Sequence, residues 1–431
     1  MGSGGYAEPL RPAGKTGSSM AKSVVLVGAL DTKSQEFGFV CELIQARRIN
    51  TVLVDFGVLG EPGLTPDISN QEVALAGGGK LLNLRSSRDK TEAMRVMAAG
   101  LVVIVRRLHQ EGRLQGILGM GGTSGTSIAT EAMRALPVGI PKLMVSTVAG
   151  SDASGYVGTR DITMMPSVVD VAGVNRISRR IYANAAGAMV GMVETEIETQ
   201  CRTDDRPLIA ASMFGNTTQC IDRGRANLES RGYEVVVFHA TGKGGRTMQA
   251  LVEDGFIQGL FDVTTTELAD EVCGGVFSAG PGRVYLASKK NIPLLLAPGC
   301  VDMCNFWEPS AVPEKYRGRN LYAWNSSVTL MRTNPAENVE IGKMLAQTAN
   351  ESRGPVAVLI PLEGVSMLDS RGQPFWDPAA DHSCFAAIKE NLRQDIPVME
   401  LSLNINDPEF ADKAVEVFLD LMGKAKQQAG V

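Results

Sequence analysis

The sequence predicts an α/β protein made of two Rossmann-like, doubly wound domains whose sheets are mainly parallel. Short apolar runs rich in Val, Ile and Leu alternate with helix-like segments along the chain. Such runs are typical of strands that are buried on both faces of a parallel sheet. At 431 residues the chain is too long for one ordinary hydrophobic core, so we expect two domains.

The first half of the chain contains four strand-like runs, each followed by a helical pattern. Its last helical pattern is rich in Ala, Gly and Met, and such small residues allow close packing. The predicted strands are 24–27, 51–55, 114–118 and 142–146, and the predicted helices are 34–47, 90–110, 127–136 and 173–198.

A polar segment that ends in proline, residues 203–207, predicts a linker between the domains. Residues 1–19 are rich in Gly, Ser and Pro and lack the apolar core of a signal peptide, so we expect a tag or disordered leader there. The expected domains are an N-terminal nucleotide-binding α/β domain at 20–202 and a C-terminal α/β domain at 203–431. In the second domain the predicted strands are 208–212, 234–238, 260–264, 292–296, 356–360 and 397–401, and a helix at 411–422 closes the chain.

Composition and charge argue against several classes of function. The 44% of hydrophobic and 21% of charged residues are typical of a soluble globular protein. A net charge of -5 argues against nucleic acid as the main partner. No apolar run is long enough for a transmembrane helix. The seven cysteines contain no Cys-x-x-Cys pair, so we expect reduced cysteines in a cytoplasmic protein and no metal-ligand set.

The glycine-rich segment 119–127 follows the third predicted strand. Glycines at a strand-to-helix turn let backbone N–H groups approach an anion, and the helix N-terminus adds a partial positive charge. The segment is not a Walker A loop, because no Gly-Lys-Ser/Thr follows, and Ser124 replaces the third glycine of the dinucleotide fingerprint. It predicts a phosphate-bearing ligand; the alternative is a tight turn that binds nothing.

Further candidates for binding this ligand follow the first two strands, because ligands of open α/β sheets bind at the carboxyl ends of strands. Asp31, Thr32 and Lys33 suit phosphate or metal–phosphate binding, although Asp31 or Thr32 could equally cap a helix. Asp55 is placed to bond a ribose hydroxyl or to form an ordinary turn. The complete set of expected cofactor-binding residues is Asp31, Thr32, Lys33, Asp55, Gly121, Gly122, Thr123, Ser124, Gly125, Thr126, Ser146 and Thr147.

In the second half, Glu267, Asp302 and His239 follow strand-like runs and are the candidate catalytic residues. Either carboxylate could act as a base or a metal ligand, and the alternative for Glu267 is a first-turn carboxylate favoured by the helix dipole. Segment 242–246, Gly-Lys-Gly-Gly-Arg, is a second candidate phosphate cradle. No Gly-x-Ser-x-Gly elbow is present, so a hydrolase of that type has no support.

Six segments of the chain, taken together and in order, resemble the ATP-binding domain family of the tomato mosaic virus resistance protein and its uncharacterised bacterial relatives. The resemblance covers about residues 20–423 and implies two Rossmann-like domains, an ATP site in the first half and a dimer. The segments are 27–33, 121–127, 144–149, 166–170, 264–270 and 329–333.

The resemblance also implies a partner. In plants the family domain is followed by a TIM-barrel domain that resembles phosphoenolpyruvate-utilising enzymes, so the bacterial counterpart could be a separate TIM-barrel protein. One position departs from the family pattern. The family usually has His-Asn ahead of the segment at 329–333, whereas this chain has Trp324 and Asn325.

We therefore expect a protein that binds ATP with Mg²⁺ and acts as a metabolic enzyme on a small acidic metabolite. The metabolite would lie in an interdomain cleft near Glu267 and Asp302, and the reaction would be phosphoryl transfer or ligation. One alternative is a non-catalytic, nucleotide-responsive binding module. Another is a hydrolase, lyase or isomerase of a phosphorylated or carboxylated substrate. We expect a homodimer or higher homo-oligomer with a small-molecule ligand, and neither nucleic acid nor membrane as a partner.

Overall fold

The computed structural model describes residues 22–87, 89–195 and 206–428. The chain divides into two compact units between residues 197 and 198. Both are α/β units with a parallel sheet, which confirms the predicted fold class. The predicted leader and the predicted boundary at residues 202–203 lie outside the described residues. Among the described residues, no helix is long and apolar enough to span a membrane.

The first unit is built on a five-stranded sheet with the strand order β2-β1-β3-β4-β5, and every pairing in it is parallel. Strands are added on one side of β1 and then on the other, so the sheet has a topological switch point between β1 and β3. The strands are β1 Ser23–Gly28, β2 Asn50–Asp55, β3 Gly116–Gly121, β4 Lys142–Ser146 and β5 Thr163–Pro166.

Helices cover both faces of this sheet. They are α1 Leu30–Gln45, α2 Asn70–Ala76, α3 Leu81–Ser87, α4 Lys90–Gln110, α5 Thr123–Arg134, α6 Ser154–Val157 and α7 Ser178–Glu194. Side chains alternate between the two faces of a strand. Val24 and Leu26 of β1 therefore pack with α1 and α7, whereas Val25 and Val27 pack with α4 and α5.

The second unit repeats the strand order of the first. Its six-stranded sheet runs β7-β6-β8-β9-β13-β14 with parallel pairings throughout, so a second switch point lies between β6 and β8. The strands are β6 Leu208–Met213, β7 Glu234–His239, β8 Gly259–Thr264, β9 Leu294–Gly299, β13 Val356–Pro361 and β14 Val398–Leu401.

The helices of the second unit again cover both faces of its sheet: α9 to α12 pack on one core and α8 with α13 on the other. They are α8 Thr218–Ser230, α9 Lys243–Asp254, α10 Thr266–Cys273, α11 Pro335–Glu351, α12 Pro378–Asn391 and α13 Pro408–Gln428.

A small antiparallel sheet that the sequence did not predict is inserted between β9 and β13. Its strands are β10 Met303–Phe306, β11 Leu321–Ala323 and β12 Thr329–Arg332, in the order β10-β12-β11. Buried Met303 and Leu330 pack with Phe214 and Phe375, so the insertion has a hydrophobic cluster of its own.

Several predicted boundaries are wrong. The third strand ends at Gly121 instead of residue 118, and the helix after it begins at Thr123 instead of residue 127. Glycine is needed inside this strand, because a Cβ at Gly119 would lie 2.8 Å from the Met144 sulfur. Gly119 and Gly121, which suggested a turn, therefore belong to β3. The helix predicted at 173–198 runs over Ser178–Glu194.

Helix α11 depends on a capping box. Asn334 Oδ1 accepts a hydrogen bond from the Glu337 N–H at 2.9 Å, and Glu337 Oε2 accepts one from the Asn334 N–H at 2.8 Å. We expect Asn334→Ala to lower the free energy of unfolding by about 1 kcal/mol, because an orphan N–H loses its acceptor. Urea denaturation followed by circular dichroism measures the change. Asn334→Asp keeps the acceptor, so its unfolding free energy should fall by no more than about half as much. Equal losses of unfolding free energy in both variants would contradict the role of the cap.

Candidate functional site

A cavity of about 880 Å³ opens at the switch point of the first unit, at the carboxyl ends of β1 and β3. Open α/β sheets bind ligands at such points, and the volume lies in the range of small-molecule sites. Its walls come from the chain after β1, the loop after β2, the end of α3, one face of α4 and the start of α5. The lining residues are Ala29, Asp31–Lys33, Phe56–Leu59, Leu84, Arg85, Asp89, Lys90, Ala93, Met94, Met97, Met120–Gly125, Ile128 and Asp170.

The N-terminus of α5 forms one end of this cavity. Its first-turn residues, Thr123 to Gly125, lie in the wall. The N-cap residue Gly122 has extended backbone and provides no side-chain cap, and the first turn carries no acidic side chain. The N–H groups of a first helical turn have no acceptor within their own helix. Together with the partial positive charge of the helix N-terminus, they make this end of the cavity suitable for an anion.

Lys33 adds a full positive charge to the same cavity. The residue interrupts the helical backbone of α1, with φ -130° and ψ 23°. Its half-buried ammonium donates to the carbonyl oxygen of Val171, in the loop after β5. No carboxylate in the described part of the chain forms an ion pair with it. An ammonium has three donors, so this contact orients the group and leaves charge and donors for a ligand.

The glycines at the start of α5 are not explained by packing within the protein. A Cβ at Gly122 would lie 3.8 Å from Thr147 Oγ1, and one at Gly125 would lie 3.9 Å from the Met120 carbonyl oxygen. Both distances are ordinary contacts, and neither residue has a positive φ. The missing side chains leave the backbone accessible from the cavity, as close approach of a ligand to N–H groups requires.

The cavity also has apolar lining residues. They are thioether and aliphatic side chains from α3, α4 and α5, namely Leu84, Ala93, Met94, Met97 and Ile128, and the charged residues Arg85, Asp89 and Lys90 line the cavity near them in the sequence. Thioethers are polarizable and adapt to the shape of a flat ligand. The cavity as a whole therefore suits a molecule that carries an anionic group at one end and a ring or apolar group at the other.

Two aspartates hold the polar side of the cavity in place. Asp55 is buried, and its Oδ1 accepts hydrogen bonds from the Leu30 N–H at 2.9 Å and the Gly57 N–H at 2.8 Å. Burial raises the pKa of Asp55. Asp31 lines the cavity, and its Oδ2 accepts from the N–H groups of Leu59 and Gly60 at 2.7 and 3.1 Å. Asp55 thus accepts from the first N–H group of α1, whereas Asp31 makes no capping bond to that helix.

Sequence reasoning missed Arg85, which secures the same loop from the other side. Its guanidinium donates to the carbonyl oxygens of Val58 and Gly60 at 3.1 and 2.6 Å and pairs with Glu61 at 2.8 Å. The lining residues of α3 and α4 were also missed. No motif marks them, because tertiary packing brings these helices to the cavity. Asp170, by contrast, belongs to segment 166–170 of the family resemblance, although it was not among the expected binding residues.

Eight of the expected cofactor-binding residues line the cavity: Asp31, Thr32, Lys33, Gly121, Gly122, Thr123, Ser124 and Gly125. Four others do not. Thr126 Oγ1 and Ser146 Oγ lie 2.6 Å apart in the interior, where they join α5 to the end of β4. Asp55 supports the turn after β1, and the exposed Thr147 lies beside Gly122 without forming part of the wall.

Glu267 has a structural partner for each carboxylate oxygen. Its Oε1 accepts from the N–H groups of Gly242 and Gly245 at 2.7 and 2.9 Å, and its Oε2 pairs with Arg283 Nε at 2.9 Å. Only 1% of the residue is exposed. The second candidate phosphate cradle, segment 242–246, is therefore occupied by a carboxylate of the protein itself, and Glu267 is not placed to act as a base.

Asp302 lies in a buried network of charged groups. Its Oδ2 accepts from Ser366 Oγ at 2.8 Å, and Arg332 pairs with Asp381 at 2.6 Å and with Asp369 at 3.6 Å. Burial and the neighbouring Asp369 raise the pKa of Asp302 to about 7. Three carboxylates face one guanidinium, so protonation relieves repulsion.

His239 is exposed, and its ring stacks on Phe214 with the centroids 5.4 Å apart. Partial burial lowers the pKa of His239, which favours the neutral imidazole. No hydrogen bond in the described ranges joins any two of Glu267, Asp302 and His239. The described residues also contain no cluster of three or more His, Cys, Asp or Glu side chains that could hold a metal ion.

The raised pKa of Asp302 predicts a pH dependence of stability. The folded protein binds this proton more tightly than the unfolded chain does. The stabilisation that protonation of Asp302 gives the folded state is therefore complete below pH 4, and it is lost as the pH rises to about 7. We expect Asp302→Asn to reduce the fall in unfolding free energy between pH 5 and 7 by up to about 1.4 kcal/mol per pH unit. Urea denaturation across this range measures the slope. Identical slopes for both proteins would contradict the assignment.

Models of one protein family match both units of the chain. The Uncharacterised protein family (UPF0261) N-terminal domain matches residues 22–198, and the corresponding C-terminal domain matches residues 206–422. A UPF0261 protein of Clostridium tetani is 46% identical over 406 residues, which are 94% of this chain and 100% of that protein.

Other similarities are more distant or partial. The ToMV resistance protein Tm-1(GCR237) of Solanum lycopersicum is 39% identical over 342 residues, which are 78% of this chain and 45% of that protein. A UDP-GlcNAc 2-epimerase from Methanocaldococcus jannaschii, solved with UDP-GlcNAc and UDP, covers 93% of each chain at 8% identity and a TM-score of 0.21. The fold assignment therefore depends on the strand order described above. From the matches along both units, the chain belongs to the UPF0261 family.

Proposed function

We propose that the first unit binds a nucleotide, with ATP and Mg²⁺ as the expected ligand, in the cavity at its switch point. One observation carries the proposal: the N-terminus of α5, which has no side-chain cap, and the ammonium of Lys33, which has no carboxylate partner among the described residues, line a cavity that also contains apolar side chains. A nucleotide has both of the chemical features that these walls suit. Its phosphates carry negative charge and its base is flat and largely apolar.

In this proposal the phosphates accept hydrogen bonds from the N–H groups of Thr123 to Gly125 and from Lys33. The base packs against Met94 and Met97. Mg²⁺ would accompany the phosphates, and the exposed carboxylate of Asp170 is the lining group best suited to approach it through water. Asp55 is not available to the ribose, because its carboxylate is buried beneath the wall.

The second candidate function is a nucleotide-responsive binding module without chemistry. It is favoured by the burial of Glu267 and Asp302, which leaves neither placed to act on a small acidic metabolite. Release of ADP that depends on an added carboxylic acid would support the metabolic enzyme. An ATP-dependent change in oligomeric state, with no ADP released, would support the binding module.

Substitution of Gly122 tests the position of the nucleotide. We expect the native chain to bind ATP with Mg²⁺ in isothermal titration and Gly122→Val to lose binding, because a branched side chain would cover the N–H groups of α5. Gly150→Val is the matched control, since a Cβ at Gly150 meets nothing within 4 Å and Gly150 is not in the wall. Both variants should keep the native melting temperature. Absence of ATP binding by the native chain, or equal binding by both variants, would refute the proposal.

Lys33→Met tests the charge while keeping the length of the side chain. Loss of a charged hydrogen bond costs about 1.5–3 kcal/mol, so we expect the Kd for ATP to rise by about 10- to 100-fold. Adenosine has no phosphate, and its affinity for this cavity should change by less than about twofold. Titrations of both ligands at two salt concentrations measure the difference. Equal losses for ATP and adenosine would show that Lys33 does not contact phosphate.

A further inference from the structure

The switch point of the second unit is covered, unlike that of the first. Thr217 follows β6, and Thr264 is the last residue of β8. Their Oγ1 atoms lie 2.8 Å apart in the interior. Thr266 Oγ1 donates to the carbonyl oxygen of Met303, the first residue of β10. The inserted antiparallel sheet therefore covers these hydroxyls. The chain segment 214–216, directly after β6, lies at the edge of this cover.

Aromatic rings surround one side of segment 214–216. The ring of Phe214 is stacked against exposed His239, with centroids 5.4 Å apart. Phe277 meets Phe214 edge-on at 6.2 Å, and Trp307 meets Phe277 edge-on at 5.6 Å. Trp307 remains 48% exposed. These contacts connect the exposed rings of His239 and Trp307 through the less exposed rings of Phe214 and Phe277.

The other side of the segment carries a second indole and a thioether. Trp324 is 38% exposed, and its Cζ2 lies 3.4 Å from the position that a Cβ on Gly215 would take. Gly215 thus allows the indole to lie close to the backbone. Met367 is 44% exposed, and its N–H donates to the Asn216 carbonyl oxygen at 3.0 Å. Exposed apolar groups that gather around one backbone segment commonly mark a binding site.

The same segment supplies buried amide oxygens that lack hydrogen-bond donors. Asn216 is only 1% exposed, and its Nδ2 contacts the Met303 sulfur at 3.4 Å, while its Oδ1 has no partner among the described residues. Asn406 donates from Nδ2 to the Asn216 carbonyl oxygen at 2.9 Å, and its own Oδ1 also lacks a partner within the described ranges. Buried polar atoms without partners are uncommon and call for a ligand or water.

We propose that Gly215, Asn216, His239, Trp307 and Trp324 form a second ligand site that binds a heteroaromatic ring bearing an N–H donor, such as a nucleobase. The exposed indoles and the exposed imidazole supply flat faces for stacking. The N–H edge of the ring would donate to the buried amide oxygens of Asn216 and Asn406, which lack partners among the described residues. The site lies beside the covered switch point, at the carboxyl ends of β6 and β7, and ligands of α/β proteins bind at this edge of the sheet. It does not depend on the nucleotide site proposed for the first unit.

Tryptophan fluorescence tests this site directly. The chain has three tryptophans, Trp307, Trp324 and Trp376, and two of them line the proposed site. Adenosine, which has no phosphate, is titrated into the full chain, and the quenching reports on the second unit because all three tryptophans lie there. We expect saturable quenching. Stacking of a base on an aromatic side chain is sensitive to alanine substitution, so Trp324→Ala should raise the Kd at least tenfold, with Trp307 as the remaining reporter.

Matched variants and ligands separate stacking from unfolding. Trp324→Phe keeps an aromatic ring, so its Kd for adenosine should stay within about threefold of the parent value. Trp376→Phe should leave the Kd unchanged. Purine riboside lacks the amino group of adenosine and should bind several-fold more weakly. The proposal is overturned by absence of saturable quenching, by equal Kd values for the parent and Trp324→Ala, or by self-association of the chain through Trp324 without any response to adenosine.

Discussion

The buried carboxylate of Asp55 joins the two chain turns on which the cavity of the first unit depends. It accepts hydrogen bonds from Leu30, at the start of α1, and from Gly57, after β2. These bonds bring Asp31 and Lys33 to the carboxyl end of the sheet. Asp31 then holds the loop at Leu59 and Gly60, and Arg85 holds the same loop from α3. The polar wall is thus assembled before any ligand binds, which lowers the entropy cost of binding.

The two units use one strand order for different purposes. In the first unit, the N–H groups at the start of α5 have no anionic side chain in front of them and face a cavity. In the second unit, the N–H groups at the start of α9 are satisfied by Glu267, whose charge is in turn balanced by Arg283. The same arrangement of N–H groups is therefore satisfied by an internal carboxylate in the second unit, whereas in the first unit it lines the cavity for which we propose an anion. Because Glu267 already satisfies the N–H groups at the start of α9, these groups do not need an external anion.

Much of the fold could be predicted from the sequence, because central parallel strands are continuous apolar runs. Strand β4 and helix α4 have the predicted bounds. The small inserted sheet could not be predicted, since its strands are short and contain polar residues such as Asn305 and Arg332, which form buried partnerships with residues distant in sequence. Local patterns contain no information about such partners.

The candidate site was predicted where chemistry and chain position coincide. Residues 31–33 and 121–125 directly follow or end strands, so strand order alone placed them together. Thr126 and Ser146 were misplaced because a shift of four residues in the start of α5 turns a first-turn hydroxyl into a buried one. Glu267 was misjudged for another reason. Sequence spacing shows that a carboxylate follows a strand. Only the packed structure shows that Gly242, Gly245 and Arg283 already donate hydrogen bonds to both oxygens of that carboxylate.

We propose that the start of α5 and Lys33 form a phosphate site for a nucleotide. The most direct measurement is a crystal structure of the full chain grown with Mg²⁺ and a slowly hydrolysed ATP analogue. We expect phosphate oxygens within hydrogen-bond distance of the N–H groups of Thr123 to Gly125 and of Lys33 Nζ, with the base against Met94 and Met97. A nucleotide bound elsewhere in the chain, with this cavity holding only water, would contradict it.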